Sequence, residues 1–228
     1  MPLTLGYWSC KTIAHPIRQL LVLTGTEFEE VTWDTYPEWF AKKAEVFTEG
    51  DPNCPLANNP YLIDGETIIT ESLAIPFYIC HKVNRTDLLG KSILDQTRVR
   101  QLEGVGKDLF RTLRDHVFLP DAQEKVKAAA KDGGDVRKVA ASLSAYLGDK
   151  DYFLGYLTYP DLLIADNLKF VRNGYLSAGV EDPFANFPNL IAHCKRVSAL
   201  PGLNDIEDVY PFIPEGFAPW YKNHPLPE

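Results

Sequence analysis

Glu71 and Ser72 close the stretch "PYLIDGETIITES" at residues 60–72 and stand just before an apolar run, "LAIPFYICHKV". A serine at a helix start can do one kind of chemistry well. The first turn presents backbone N–H groups without intrahelical acceptors and carries positive partial charge, so it receives an anion. What must position it is a hairpin. Tyr61 to Ile63 are strand formers, Asp64-Gly65 is a two-residue turn signal, and Thr67 to Thr70 are β-branched throughout. The segment reads strand, turn, strand, helix, with Pro60 opening it and Ser72 at the helix start. The thiols point to less. Cys10, Cys54, Cys80 and Cys194 show no CxxC pairing and no His-rich spacing. Neither a disulfide scaffold nor a metal site is expected, and reduced thiols in a cytoplasmic protein are the default.

The elements around the hairpin follow from periodicity. "LTLGYW" (3–8) and "FEEVTWD" read as strands, and between them "HPIRQLLVLTG" reads as a helix with Pro16 in its first turn and Gly25 at its stop. Strand–helix–strand favours a parallel pair with a helical crossover. A wet, irregular stretch follows, with one helical turn near Trp39–Phe47. After residue 90 no strand signal appears. Val99, Leu102, Val105, Leu109, Leu113 and Val117 mark a long amphipathic helix, and further helices follow on either side of Gly133-Gly134. "TYPDLLIADNLKFV" opens with Thr158 and Asp161 in a capping-box arrangement. "FPNLIAHCKRVSALPG" is a further helix, ended by Pro201-Gly202. A small α/β unit joined to an all-helical one is the expected class.

The bulk numbers agree with a folded globular chain. Of 228 residues, 45% are hydrophobic and 24% charged. A formal net charge of −8 argues against a nucleic-acid footprint and an anionic membrane surface. No apolar run approaches the ~20 residues that span a bilayer. "MPLTLGYWSC" lacks a charged region followed by an apolar one, so no secretory signal is expected.

"LGYWSCKTIAHPIRQLL" together with "NPYLIDGETIITES" resembles the cytosolic glutathione transferases, closest to the mu class over the first 35 residues. "TYPDLLIADNL" and "FPNL" extend the resemblance through the helical half. It implies a thioredoxin-like domain at 1–83 (βαβ-ββα), a linker at 84–91 and an all-helical domain at 92–228. The implied activity is transfer of the glutathione thiol to small hydrophobic electrophiles, with glutathione as co-substrate and no metal. Two other roles belong to the same fold: glutathione-dependent isomerisation, and non-catalytic ligand binding or service in a larger assembly.

The resemblance also assigns residues. Tyr7 is the implied catalytic group, its phenol donating to sulfur and favouring the thiolate. Asn59-Pro60 resembles the family's cis-proline step, with Asn58 before it. Glu71 and Ser72 would take the γ-glutamyl end, Ser72 its carboxylate and Glu71 its ammonium. Trp8 would line the glutathione pocket. Trp39 and Lys43 keep a Trp-x-x-x-Lys spacing suited to the glycyl carboxylate, with Lys42 as the alternative to Lys43. Asp108 lines up with an aspartate that reaches the partner's glutathione, which implies a homodimer. Phe118 stands where the mu class has a second tyrosine, and Phe118, Tyr210 and Phe212 are the candidates for the acceptor pocket. Cys10 lies three residues before the position, here Ile13, that a nucleophilic cysteine occupies in other classes. Cys10, Ser9 and His15 therefore read as structural. Pro76, inside the third helix, removes a backbone donor without an evident reason.

Overall fold

The computed structural model describes residues 2–48, 56–131, 135–214 and 216–227. Cys54 and the Gly133-Gly134 break lie outside the described residues. β1 (Leu3–Trp8), α1 (His15–Leu23) and β2 (Phe28–Trp33) form the expected crossover, the strands pairing in parallel from Leu3↔Phe28 to Trp8↔Trp33. After α2 (Tyr36–Val46), β3 (Tyr61–Asp64) and β4 (Thr67–Thr70) make the hairpin, and β3 runs antiparallel to β1. The sheet order β2-β1-β3-β4 places β1 inside the sheet, its C-terminal end carrying Tyr7 and Trp8. Gly6 is required there, because a Cβ would come within 2.0 Å of the Tyr61 ring that covers the strand.

α3 (Ala74–Lys82) and a 3-10 turn (Thr86–Leu89) lead into the helices: α4 (Ile93–Val117), α5 (Ala122–Lys131), α6 (Asp135–Leu147), α7 (Tyr159–Ser177), α8 (Pro188–Ser198) and α9 (Leu203–Glu207). α7 is buried from Tyr159 to Tyr175 and forms the centre of the bundle. Its start is fixed by Asp161, whose carboxylate accepts the Thr158 N–H and hydroxyl, both at 2.8 Å, and the Phe153 N–H at 2.9 Å. One apolar core runs from Leu3 and Leu5 through Ile17, Leu20 and Leu21 of α1 into α4, α7 and α8. A second cluster, Trp33, Trp39, Phe47 and Tyr61, uses the other face of the sheet, since Tyr61 and Leu62 are consecutive and point opposite ways.

The structure departs from the sequence reading in three places. α2 is an 11-residue helix instead of one turn, because Thr35 and Glu38 close a capping box. Glu38 accepts the Thr35 N–H at 3.1 Å and donates its own N–H to Thr35 Oγ at 3.4 Å. α3 begins at Ala74 with Leu73 as its N-cap, so Ser72 stands one residue ahead of the cap. That shift explains Pro76. It is the third residue of the helix, where a backbone N–H has no intrahelical acceptor in any case. Finally, the sequence reading assigns no element after Pro201-Gly202. α9 follows directly, and the segment beyond returns to the core through Lys11 N–H to Pro211 O at 2.7 Å and Tyr221 OH to Phe170 O at 2.8 Å.

Candidate active site

Tyr7 lies at the end of β1 and is 5% exposed. Its hydroxyl is 3.0 Å from Thr12 Oγ, in the loop between β1 and α1. That loop is held from two sides. Arg18, buried on α1, donates to the Cys10 carbonyl at 2.6 Å and the Trp8 carbonyl at 3.4 Å, and its Nε is paired with Glu30. From the other side, Pro211 accepts the Lys11 N–H. Thr12 itself takes a φ of 28°, a conformation L residues rarely adopt, which the surrounding bonds enforce.

Burial raises the Tyr7 phenol well above its ordinary value, and Cys10 adds to this. The Thr12 hydroxyl, the Ile13 backbone and Arg18 pull in the other direction without cancelling it. The phenol is therefore neutral at physiological pH, as a hydrogen-bond donor must be. Either hydroxyl can donate in the Tyr7–Thr12 bond, and with Thr12 as the donor the phenol proton is free to point at a ligand atom. Cys10 is only 3.3 Å from Thr12 Oγ, but burial pushes its thiol up to about 11. A thiol so poorly ionised is a weak nucleophile at neutral pH.

The second half of the site gathers around the hairpin. The Asn59-Pro60 bond is cis. Asn58 donates from Nδ2 to Glu71 at 3.3 Å and accepts the Asn59 N–H at 2.9 Å. Glu71 is exposed at a φ of 73°, in the left-handed region that favours glycine. A non-glycine residue held there is the kind of strain that clusters at ligand-binding positions. Its carbonyl takes the Ala74 and Ile75 N–H groups at 2.9 and 3.1 Å, while among the described residues the Ser72 and Leu73 N–H groups have no acceptor. A cleft of about 210 Å³ is lined by Ile13, whose backbone bonds the Tyr7 hydroxyl, and by Ser72 and Leu73, with residues of α4 and α7 completing its wall.

A neutral phenol at the end of β1, a cis-proline step opening the neighbouring β3 and the start of α3 thus lie on adjoining elements. Residues 3–81 match the family model "Glutathione S-transferase, N-terminal domain" and residues 107–205 match "Glutathione S-transferase, C-terminal domain". The chain belongs to the glutathione S-transferase family. It is 33% identical to Glutathione S-transferase Mu 4 of Mus musculus over 87% of this chain and 90% of that one. It is 30% identical to a class-mu 26 kDa isozyme of Fasciola hepatica over 97% and 93% of the two chains. Among solved structures, a Nu-class GST from Haemonchus contortus superposes with a TM-score of 0.72 at 26% identity, covering 92% of this chain and 97% of that one.

The remaining residues implied by the family resemblance divide. Trp8 lies beside the site, with its ring edge-on to Tyr36 at 5.2 Å and to Phe217 at 5.8 Å. Trp39 is buried and stacked on Trp33 at 4.9 Å. Lys43 follows one turn later on α2. Lys42 is paired with Glu45 at 2.8 Å, and among the described residues no such pair engages Lys43. Asp108 is exposed on α4. Of the acceptor candidates, only Phe118 stands near this region, edge-on to Phe217 at 6.4 Å. Tyr210 is taken up elsewhere, donating to Glu30 at 3.1 Å with Arg18 over its ring. Phe212 is buried against Phe170 beneath the Lys11 ammonium. The C-terminal segment does reach the site, through Phe217. Sequence reasoning also missed Thr12, whose role depends on a loop conformation that residue type does not disclose. It missed Arg18 as a clamp, although a buried arginine on an apolar helix face was a readable signal.

Proposed function

We propose that the protein transfers the thiol of glutathione to electrophiles, with Tyr7 stabilising the thiolate. The observation that carries this reading is the buried, neutral Tyr7 hydroxyl, hydrogen-bonded to Thr12 and beside Ile13, which lines a cleft that also reaches Ser72. Residues 1–83 bind glutathione in this proposal and residues 92–228 shape the acceptor side. The glutathione backbone pairs along Asn58-Asn59-Pro60, and its γ-glutamyl carboxylate meets Ser72 and the α3 start while Glu71 faces the ammonium. Its glycyl end lies toward Lys43, with Trp39 packing beneath.

A free thiol with a pKa of about 8.5 is mostly protonated at neutral pH. One charge-assisted hydrogen bond is worth about 1.5–3 kcal/mol, and each pKa unit corresponds to ~1.36 kcal/mol, so the Tyr7 donor can lower the thiol by about one to two units. The thiol proton leaves to solvent. Sulfur then attacks the electrophilic carbon, forming the C–S bond as the leaving group departs with its electron pair. The protein is proposed to act as a cytoplasmic homodimer in which Asp108 reaches the glutathione of the neighbouring subunit.

The test is Tyr7→Phe, which removes one hydroxyl and keeps the ring. Loss of a preorganised donor to an anion typically lowers turnover by ~10²–10³. Glutathione affinity should change far less, and the thiolate absorbance of bound glutathione should move up toward the free thiol's value. Wild-type turnover with an unshifted titration would sink the assignment. Cys10→Ala as the damaging variant would point instead to disulfide exchange, and glutathione retention without turnover to a carrier.

A further inference from the structure

The face of α4 that looks into the cleft is cationic. Lys107, Arg111 and Arg114 recur at helical spacing and all three line the cavity. The lining includes no carboxylate, in a chain whose formal net charge is −8. Asp115, behind the rim, is the acid that touches these groups, 3.0 Å from Arg114 and 3.7 Å from Arg111. Among the described residues Lys107 has no ion-pair partner. Three cations thus line the cleft, with Asp115 in contact with two of them and Glu103 one turn before Lys107, and low-dielectric walls concentrate such a field. Those walls are apolar: Ile13, Leu73, Phe110 and Leu163. The cavity is about 210 Å³; its Ser72 end belongs to glutathione in the reading above, and the acceptor ring is assigned to the part between Ile13, Phe110, Leu163 and the α4 cations.

From this arrangement we infer that the acceptor site takes electrophiles carrying an anionic group, such as a carboxylate, sulfonate or phosphate on an aromatic ring. The inference rests on the transferase reading above and narrows its substrate class. Arginine forks at the rim hold the anion, and the apolar wall at Ile13 seats the ring beside the Tyr7 hydroxyl, where the thiolate lies. A purely hydrophobic electrophile would leave the cations hydrated at the mouth and gain nothing from them.

The experiment compares a chloronitrobenzoate with the matching chloronitrobenzamide, substituents in the same ring positions. In both, sulfur bonds to the ring carbon and chloride leaves with the C–Cl electron pair, the thiol proton having gone to solvent. Intrinsic reactivity cancels when each acceptor is compared between wild type and the Arg111→Gln/Arg114→Gln double variant. The expected result is a fall of about tenfold or more in the benzoate-to-benzamide ratio of kcat/KM, carried mainly by KM for the benzoate. Lys107→Gln should lower the same ratio by a smaller factor. A ratio unchanged within about twofold, with both acceptors still turned over, overturns the proposal and leaves the transferase reading standing. A rise in the glutathione KM with a flat ratio also overturns it, since the arginines would then hold glutathione. Equilibrium dialysis of the benzoate without glutathione separates the two ideas. If neither acceptor is turned over, the transferase reading fails. The anion site then stands if benzoate binding weakens about tenfold in the double variant, and falls if it does not.

Discussion

Glu207 on α9 is the residue whose neutralisation should do most damage for the least change in shape. Its carboxylate meets Lys169 at 2.7 and 2.9 Å and Lys11 at 3.1 Å, with the His15 ring at 3.8 Å. The side chains of Lys11 and Lys169 are 2% and 8% exposed, and that of Glu207 is 25% exposed. Burial alone would raise its pKa. The His15 ring and the two ammoniums outweigh burial and hold the carboxyl well below the usual range. Glu207→Gln keeps the volume and leaves Lys169, among the described residues, with Asp166 at 4.0 Å as its one carboxylate and Ser198 Oγ at 3.4 Å. Removing one partner of a fully buried ion pair costs ~3–5 kcal/mol. Since Glu207 is a quarter exposed, about 2–3 kcal/mol is the expectation. For a chain of this size each kcal/mol moves Tm by about 2–4 °C, so Tm should fall by ~4–12 °C.

The pH dependence has a definite sign. A carboxyl with a depressed folded-state pKa stabilises fully above its unfolded pKa and loses that contribution as pH falls toward the folded value. The Tm gap between wild type and Glu207→Gln should therefore be flat above about pH 5 and shrink below about pH 4. Asp166 works in the opposite sense, because burial raises its pKa and acid relieves it, but it is present in both proteins. Differential scanning calorimetry over this range is the assay. A gap under about 2 °C at neutral pH, or one that widens on acidification, would refute the reasoning. Activity should fall with stability, because Lys11 belongs to the loop that carries Thr12.

Ser72→Ala should weaken glutathione by about tenfold or more in isothermal titration, the value of one hydroxyl to a carboxylate; unchanged affinity removes Ser72 from the site. Glu71→Gly should separate stability from binding, since a left-handed φ costs a non-glycine residue roughly 1–2 kcal/mol. Its Tm should rise by a few degrees while glutathione binding weakens, and a fall in Tm would show that Glu71 is not strained. Sedimentation should give about twice the 25.7 kDa of one chain, with α4 around Gly104 at the interface. A fully active monomer would remove the role proposed for Asp108.

What the sequence made legible was whatever depends on local chemistry. Asp64-Gly65 and the β-branched Thr67 to Thr70 announced the hairpin, and Thr158 with Asp161 announced the start of α7. The Thr35–Glu38 box is the same signal, but it follows β2 so closely that the polar stretch after it read as loop. The C-terminal aromatics were not assignable for a different reason. Pro211, Pro214, Pro219 and Pro225 interrupt this segment at uneven intervals, so no period says which ring faces inward. Phe217 reached Trp8 and Phe118, whereas Tyr210 went to Arg18 and Phe212 into the core. The cationic stripe of α4 was readable at the same spacing as its apolar one. It had no meaning until the cleft showed where that face looks.

The placement of the buried ions then has a physical rationale. Replacing such a cluster by apolar side chains of similar volume is often neutral or stabilising, so stability alone does not explain Lys11, His15, Asp166, Lys169 and Glu207 at one junction. Apolar contacts are also permissive about orientation, whereas a carboxylate shared by two ammoniums at 2.7–3.1 Å fixes both. Lys11 neighbours Thr12 in sequence, and its backbone N–H is held by Pro211. The loop bearing the Thr12–Tyr7 hydrogen bond is thus tied to α7 and α9 by ions, to the C-terminal segment by backbone, and to α1 by Arg18. A donor aimed at a thiolate must be positioned within a fraction of an ångström to act. The helical half supplies that constraint at the junction, so the thiolate stabilisation proposed for Tyr7 depends on residues almost two hundred positions away.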